Sequence, residues 1–189
     1  MKMTAALRGA LASAIPVDEA EAAMQREMLI FLDKHVDSLF RTQLSGHFTA
    51  SAWVLDLDTQ SVLLIHHTKL DKWLQPGGHA DGDADLLAVA QREVWEETGL
   101  QTQPLQENIF DLDIHEIPAR AHEPAHLHLD VRYLLTPAKN STLALNHEVK
   151  DARWVPLHEV VFLSNERSLL RMVDKSLAQM PDILARWAM

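Results

Sequence analysis

The amino-acid sequence predicts an α+β sandwich, and two observations support this fold class. Segments typical of β-strands are mixed with only a few segments typical of helices, without the regular strand–helix alternation that marks a parallel sheet. The chain has 189 residues, and a chain of this length can bury roughly 70% of its unfolded surface. We therefore expect one domain with an added segment, stable without any covalent cross-link.

Composition narrows the classes of function. The chain contains no cysteine, which excludes disulfides, thiolate metal sites and cysteine nucleophiles and fits a reducing compartment. Its net charge is -10 and it has no basic run, so we expect no nucleic-acid polymer as a partner. No stretch approaches the roughly 20 apolar residues that span a bilayer. Arg8 interrupts the apolar run near the N-terminus, which argues against a signal peptide. We therefore expect a cytoplasmic protein without a membrane partner.

The first predicted element is a helix over residues 17–43. Asp18, Glu19 and Glu21 fall in its first turns, where the helix dipole stabilises negative charge. Apolar residues recur at helical spacing, at Met24, Met28, Phe31, Leu32 and Leu39. The Ser-Gly pair that follows is expected to end the helix.

Strands dominate the rest of the chain. Two are predicted around a turn at residues 58–60, and a loop is expected over residues 68–83, before a helix rich in glutamate. Pro181 should end a C-terminal helix, because proline lacks the N–H that a helix interior needs. The predicted strands cover residues 48–57, 61–67, 110–117, 125–135 and 153–155, and the C-terminal helix covers residues 164–180.

The glutamate-rich helix raises a question of charge. Glu93, Glu96 and Glu97 fall within one arc of roughly 100°, and the adjoining arc is apolar. Like charges at this spacing repel one another and lower helix stability. A divalent cation that takes several carboxylate oxygens would relieve the repulsion. A solvated acidic face is the alternative interpretation of the three glutamates alone.

The residues around these glutamates favour the metal. Residues 78–100 resemble the Nudix box, which has a glycine, five residues, a glutamate, seven residues and then Arg-Glu-apolar-x-Glu-Glu-x-Gly-apolar. The departure is Ala84 at the first glutamate, where Asp83 and Asp85 are candidates for a helix cap or a substitute. Eight of the nine fixed positions agree, namely Gly78, Arg92, Glu93, Val94, Glu96, Glu97, Gly99 and Leu100.

The likeness extends beyond the box, over about residues 47–160, through a Trp-Leu-Gln-Pro-Gly-Gly segment before it and a Trp-Val-Pro segment after it. It implies a Nudix-type α/β/α sandwich with a mixed sheet, preceded by an N-terminal helical extension. We therefore expect the extension at residues 1–45 and the Nudix domain at residues 46–189. Gly99 suits the left-handed position that ends a helix.

The resemblance also implies a chemistry. Nudix hydrolases bind Mg²⁺ or Mn²⁺ at the box and cleave nucleoside diphosphates linked to another moiety, so the partner would be a small phosphorylated molecule. Glu96 and Glu97 would be metal ligands, and the carbonyl of Gly78 a further one. Glu93 would be another ligand or the base for the attacking water, and Arg92 would hold the glutamates by hydrogen bonds. Arg92, Glu93 and Glu97 are thus the candidate catalytic residues.

An acid outside the box often completes the metal set in this family. Glu148, in the segment that leads to the last predicted strand, is the candidate ligand, with Asp130 and Glu123 as competitors. An exposed loop carboxylate is the alternative interpretation of Glu148. Substrate specificity is expected from loops and stacking side chains outside the box, such as Trp73, Trp53 or residues near 116–124.

Histidine is frequent, with 11 in the chain. His126, His128 and Asp130 alternate along one face of the predicted strand at residues 125–135. Imidazole and carboxylate at alternating positions make a reasonable metal-ligand set. A polar strand face that bonds to solvent or substrate is the alternative. The preceding strand has the same pattern, at Asp111, Asp113 and His115.

A second resemblance is to isopentenyl-diphosphate isomerase, a Nudix-related fold that binds a divalent metal through histidines and glutamates. Two of its histidines correspond to His47 and His79 here, but it needs a cysteine where this chain has Gly77. Isomerase activity is therefore not expected. We expect His47, His79, His126 and His128 to converge, either as a second metal site for zinc or nickel or as a phosphate-binding site.

The favoured function is therefore a metal-dependent Nudix pyrophosphohydrolase that cleaves a phosphoanhydride bond. A catalytically silent Nudix domain that binds a nucleotide or a partner protein is the second interpretation, and an isomerase-like enzyme is the third. A silent domain would have no need of three mutually repelling glutamates. The N-terminal helix could dock on its own core or on a second subunit, so we expect a monomer or a homodimer.

Overall fold

The structure is a computed structural model that describes residues 2–120, 123–139 and 141–187. The helices are α1 (Lys2–Ser13), α2 (Glu19–Lys34), α3 (Leu86–Thr98), α4 (Val160–Leu163) and α5 (Arg167–Trp187). The strands are β1 (Gly46–Asp56), β2 (Ser61–His67), β3 (Lys72–Leu74), β4 (Gly77–His79), β5 (Thr102–Pro104), β6 (Asp111–Ile117), β7 (His126–Pro137) and β8 (Val149–Pro156).

Contacts group the chain into two compact units. The first unit comprises the chain up to Ser51 together with Gly77–Arg92 and Gln106–Tyr133. The second unit comprises Ala52–Pro76, Glu93–Leu105 and the chain from Leu134 onward.

In the first unit, β6 and β7 form an antiparallel pair whose register decides which side chains meet. Asp111 lies opposite Arg132, and His115 lies opposite His128. β4 pairs with β1 in the same antiparallel sense and places His79 opposite Thr49. Directly paired residues point to the same side of a sheet, so the polar faces predicted for β6 and β7 lie together.

The N-terminal helices dock on this first unit. Helix α2 packs against β6, and α1 packs against α2. The N–H of Leu112 donates to a carboxylate oxygen of Glu21 at 3.1 Å, and the N–H of Ile114 donates to the sulfur of Met24 at 3.2 Å. Side chains of α2 thus satisfy backbone groups of β6 that do not bond to β7, which closes an otherwise open sheet edge. Gln25 donates to two carbonyl oxygens at the end of α1, at 2.7 and 2.9 Å.

In the second unit, β2 is the central strand. It pairs with β8 along its whole length, while β1 and β3 pair antiparallel with its two ends. The end of β7 pairs with β5. Trp53 is fully buried, and its Nε1 donates to Ser176 of α5 at 2.8 Å, which links β1 to that helix.

Helix α3 begins and ends at the residues that the sequence predicts. Asp85 precedes the helix, and its carboxylate accepts a hydrogen bond from the N–H of Ala88 at 3.1 Å, which is the geometry of an N-cap. Gly99 follows the helix with a φ of 71°, the left-handed conformation that favours glycine. Its N–H donates to the carbonyl of Trp95 at 2.8 Å. The cap role of Asp85 and the left-handed Gly99 are therefore confirmed.

The predicted helix over residues 17–43 was wrong at its C-terminal end. Helix α2 ends at Lys34, because His35 has an extended backbone with φ of -118° and ψ of 104°. Leu39, which extended the apolar pattern, is buried from a turn rather than from a helix. At the other end the prediction holds, since Asp18 caps α2 by accepting from the N–H of Glu21 at 2.8 Å. Helix α1 was not predicted.

Pro181 does not end the C-terminal helix, which corrects another prediction. Helix α5 runs from Arg167 to Trp187 with Pro181 inside it. Met180 and Ile183 are buried on either side of the proline, so packing of this helix face offsets the missing N–H.

The predicted loop over residues 68–83 also contains β3 and β4. None of the described helices is long and apolar enough to cross a membrane.

Candidate functional site

The three glutamates of α3 lie within about one helical turn. Glu93, Glu96 and Glu97 occupy positions i, i+3 and i+4, which share one side of a helix. Glu97 is only 4% exposed, Glu93 is half-buried and Glu96 is exposed. Carboxylates that range from buried to exposed suit a hard divalent cation, which takes oxygen ligands from protein and water together. The donor set fits Mg²⁺ or Mn²⁺, and ligation by these residues stays a prediction.

Other residues of the box belong to the first unit. Nη1 of Arg92 lies 3.4 Å from Oδ2 of Asp83, in the loop before α3. The bonds predicted from Arg92 to the glutamates stay a prediction. Ala84 is buried, so the position of the missing first glutamate contributes to packing instead. Gly78 lies in β4, and the role of its carbonyl as a metal ligand stays a prediction as well.

Glu148 lies in the loop between β7 and β8, which contacts the C-terminal end of α3. The N–H of Asn146 donates to the carbonyl of Glu97 at 3.3 Å, and the N–H of Glu148 donates to the side chain of Asn146 at 2.8 Å. The Glu148 side chain is 41% exposed and lies 3.7 Å from Nζ of Lys69. It is accessible enough to bind an ion and remains the candidate ligand outside the box.

Asp130, the competing candidate, belongs to a buried network around Arg132. Its carboxylate accepts hydrogen bonds from the hydroxyls of Thr49 at 2.9 Å and Ser51 at 2.7 Å. Burial disfavours the Arg132 guanidinium, but the nearby carboxylates outweigh this cost and raise its pKa above the usual value. Asp130 is therefore occupied by protein partners. The guanidinium contacts three carboxylates at 3.2, 3.1 and 2.7 Å, those of Asp111, Asp113 and Asp130.

Sequence reasoning missed the network around Arg132. A signal was available, because Arg132 continues the alternating polar face of His126, His128 and Asp130. The charge of three aspartates on two adjacent strands also required a cation on the same face. The network gives β6 and β7 a fixed register at the end of the pair opposite the histidines.

The four predicted histidines converge in the first unit. The ring centroid of His47 lies 4.9 Å from that of His126, 5.0 Å from that of His128 and 5.1 Å from that of His79. The Nε2 atoms of His126 and His128 are 3.3 Å apart. One ring nitrogen from each of His47, His126 and His128 lies within 4.8 Å of the other two. We call these three residues and His79 the histidine cluster.

Burial lowers the pKa of three members of the histidine cluster. His47 and His126 are buried, with exposures of 2% and 5%. Burial lowers the pKa of His79 to about 4 and that of His128 to about 2, and it also lowers the pKa of His47. These imidazoles are therefore neutral at pH 7, and neutral imidazole is the form that binds a metal ion.

Two further predictions concern residues outside the box. A Cβ atom on Gly77 would lie 2.5 Å from Oγ of Ser51 and 2.8 Å from the carbonyl oxygen of Ala50. No side chain fits there without displacing β1, so the cysteine of the isomerase has no room in this chain. The expectation that Trp53 contacts substrate was wrong, because the ring is fully buried. Trp73 is half-buried and remains a candidate.

The antiparallel strands and the helix with three glutamates define a Nudix-type domain. A family model described as NUDIX domain matches residues 46–175. The chain belongs to the Nudix family, and the resemblance seen in the box is confirmed.

Relatives and solved structures agree with this assignment. The phosphatase NudJ of Escherichia coli (strain K12) is 32% identical over 101 residues, which cover 52% of this chain and 60% of that protein. The match therefore spans less than two thirds of the relative's length. A Caenorhabditis elegans Ap4A hydrolase in a binary complex is similar with a TM-score of 0.59 at 17% identity, over 71% of this chain and 98% of that chain. A MutT protein from Methanosarcina mazei Go1 gives a TM-score of 0.52 at 19% identity, over 70% of this chain and 94% of that chain. The two structures show the fold, and the predicted Nudix-type α+β class is confirmed.

Proposed function

We propose that this protein is a metal-dependent Nudix pyrophosphohydrolase. It would cleave a phosphoanhydride bond in a nucleoside diphosphate linked to another moiety. The observation that carries the proposal is the complete set of Glu93, Glu96 and Glu97 on α3, within a box whose helix ends are formed as the motif requires. Three carboxylates that repel one another lower helix stability. A bound cation that takes part in catalysis would offset this repulsion and account for their presence.

Each residue of the set has a distinct task in this proposal. Glu96 and Glu97 hold Mg²⁺ or Mn²⁺, and the burial of Glu97 restricts its rotamers so that its oxygens keep one direction. A cation held there would neutralise charge on the diphosphate and lower the pKa of the attacking water. Glu93 is a further ligand or accepts the proton of that water. Glu148 completes the ligand set from its loop.

The substrate class follows from charge and from the relatives. The chain carries a net charge of -10, so an anionic diphosphate would be repelled unless divalent metal supplied positive charge. The relatives named phosphatase NudJ, 32% identical over 101 residues, support a phosphorylated small molecule as substrate. We propose that the protein acts in the cytoplasm as a monomer or a homodimer.

The experiment that tests the proposal is a substrate panel with the purified full chain. Nucleoside triphosphates, dinucleoside polyphosphates, ADP-ribose and nucleotide sugars are each incubated with Mg²⁺ or Mn²⁺, and the products are separated by chromatography. We expect cleavage of at least one class, and no cleavage when the divalent metal is omitted or chelated. Cleavage that continues in chelator would remove the metal from the mechanism. Binding of a nucleotide without any cleavage would favour the silent Nudix domain instead.

A further inference from the structure

We propose that His47, His126 and His128 form a metal site of their own, which takes a divalent transition ion of the zinc class through three imidazole nitrogens. The ligands are different residues from the carboxylates of α3, and the site does not depend on the hydrolase activity proposed above. Imidazole suits zinc, nickel, cobalt and copper, whereas Mg²⁺ prefers oxygen ligands.

The spacing of the nitrogens is the first argument. Zinc binds histidine nitrogen at about 2.0–2.1 Å in tetrahedral geometry, which separates two such nitrogens by about 3.3 Å. The Nε2 atoms of His126 and His128 are 3.3 Å apart. The third nitrogen, from His47, lies within 4.8 Å of both, so a modest rotation of its side chain would complete a three-ligand set.

The second argument concerns the tautomers. Nδ1 of His126 lies 2.9 Å from the carbonyl oxygen of Pro124, and Nδ1 of His47 lies 3.5 Å from that of Gln43. A carbonyl can only accept, so both Nδ1 atoms carry the hydrogen and both Nε2 atoms present lone pairs. Histidines that bind metal generally donate their other nitrogen to such an acceptor, which fixes the ring. The His126 ring is therefore held in the tautomer that a metal needs, and the longer contact of His47 favours the same tautomer while leaving that ring room to rotate.

The third argument is an unsatisfied atom. Nε2 of His47 is buried and has no hydrogen-bond partner among the described residues. The whole residue is only 2% exposed. A buried polar atom without a partner costs free energy. The rings of His126, His128 and His79 surround it, with centroids at 4.9, 5.0 and 5.1 Å. A metal ion among the rings would give this nitrogen its partner.

The surrounding charges favour a cation over a phosphate. Arg41 forms two hydrogen bonds with Asp81, at 2.8 and 2.7 Å, so its charge is compensated. Oε1 of Glu123 lies 3.8 Å from Nε2 of His126, which adds a negative group beside the cluster. The other groups near His128 are His115 and, through it, Asp113, which Arg132 neutralises.

A three-histidine set leaves one coordination position open. His79 and Glu123 border the three proposed ligands, and either one or a water molecule can fill that position. Sites with three protein ligands and an open position bind substrate or water, whereas closed four-ligand sites are structural. A water molecule in the fourth position would leave the ion open to exchange, whereas His79 or Glu123 there would close the site.

The test is a metal titration of the purified full chain after removal of metal with a chelator. Zn²⁺ is followed by calorimetry, and Co²⁺ by the visible absorption that marks a four-coordinate site. We expect one equivalent of either ion in the wild-type protein. His128→Gln and His126→Gln should each weaken binding at least about a hundredfold, because an ion of this class is held by few ligands.

Two control variants show whether the bound ion depends on the histidine cluster alone. His158→Gln removes a histidine whose side chain is 79% exposed, and Glu97→Gln removes a carboxylate of α3, and both should retain one equivalent of Zn²⁺. Less than one equivalent in wild type, full binding in His128→Gln, or equal loss in His158→Gln would each overturn the proposal. Should a cluster variant fail to fold, ¹⁵N NMR of the wild-type histidines decides, since Zn²⁺ must shift Nε2 of His47 and His126 and leave their Nδ1 protonated.

Discussion

The glutamates of α3 and the histidine cluster are two sets of potential metal ligands built in opposite ways. The glutamates are close in sequence, range from buried to exposed and offer oxygen. The histidines come from three strands of the first unit, from position 47 to position 128, and offer nitrogen from buried or half-buried rings. The glutamates depend on one helix, because a single turn brings them together. The histidines depend on strand pairing, so their geometry is a property of the folded sheet.

This difference predicts whether a substitution in each set lowers activity or folding stability. A change in one glutamate should alter chemistry and leave folding intact, because the helix itself gains from the loss of a repelling charge. A change in the support of the histidines should alter folding first. Substitutions in the two regions can test the contrast, beginning with the largest expected effect.

The network around Arg132 supports the strands that carry the histidines. Arg132→Met should lower the free energy of unfolding by about 3–5 kcal/mol, because it leaves carboxylates buried without their counter-charge. Urea unfolding followed by circular dichroism measures the change. The control is Arg153→Met, which removes an exposed pair with Asp151 and should cost at most about 1 kcal/mol. Equal stability of the two variants would contradict a supporting role for the network.

Substitution of a glutamate on α3 should lower the turnover rate and leave the stability of the fold unchanged or higher. Glu97→Gln keeps the shape of the side chain and removes one charge, and it should reduce turnover at least about a hundredfold, since a bound cation supplies several kcal/mol of transition-state stabilisation. Its melting temperature should stay the same or rise, because repulsion on α3 is relieved. Glu27→Gln, the same change at an exposed position of α2, should retain full turnover. Full turnover in Glu97→Gln would exclude α3 from the mechanism.

The same contrast explains what the sequence could predict. The box was readable because its residues lie within 23 positions and each has a local role, such as the cap at Asp85 and the left-handed Gly99. The alternating faces of β6 and β7 were readable for a similar reason, since strand periodicity is local. Both features depend on residues that are close in sequence, so they can be predicted without knowing the contacts of the remaining chain.

Features that depend on distant contacts were not readable. Pro181 stays inside α5 because Met180 and Ile183 pack on either side of it, and no local rule contains that packing. Strands of three residues, such as β3 and β5, are too short to show periodicity and exist through their partners. The sequence predicts Glu21 as an acid in the first turns of a helix. It gives no sign that the Glu21 carboxylate also accepts a hydrogen bond from the N–H of Leu112 on β6, because that contact depends on the tertiary structure.

Replacing glycine by alanine should change the free energy of unfolding in opposite directions at Gly99, which has a left-handed backbone, and at Gly9, which lies within helix α1. Gly99→Ala should destabilise the protein by about 1–3 kcal/mol, because a φ of 71° strains any other residue, and the new Cβ would lie 2.8 Å from Cβ of Ala144. Gly9→Ala is the matched control, since a Cβ there meets nothing within 4 Å, and alanine in a helix should stabilise by up to about 1 kcal/mol. Denaturant unfolding of both variants under one set of conditions checks the signs. Gains of stability in both would remove the left-handed turn as a constraint on α3.

The smallest effect is expected at Asp85, where the box departs from its family pattern at the neighbouring Ala84. Because the Asp85 carboxylate accepts from the N–H of Ala88, Asp85→Ala should cost about 1 kcal/mol of stability through the lost cap. Asp85→Ser should recover most of that loss, since serine also caps helices. Asp182→Ala, at an exposed position of α5, controls for the general effect of removing an aspartate.

A measurement of Mg²⁺ activation on the Asp85 variants then separates a cap from a ligand. If the carboxylate only caps α3, the concentration of Mg²⁺ that gives half-maximal turnover stays the same in Asp85→Ala and in Asp85→Ser, while unfolding separates them. If the carboxylate instead replaces the glutamate that Ala84 lacks, both variants need more Mg²⁺, and serine does not restore the loss because a neutral hydroxyl is a weak ligand for a hard cation. The buried Ala84 and the bond from Ala88 favour the first outcome. The box would then work with three glutamates, and the missing fourth would be replaced by packing rather than by charge.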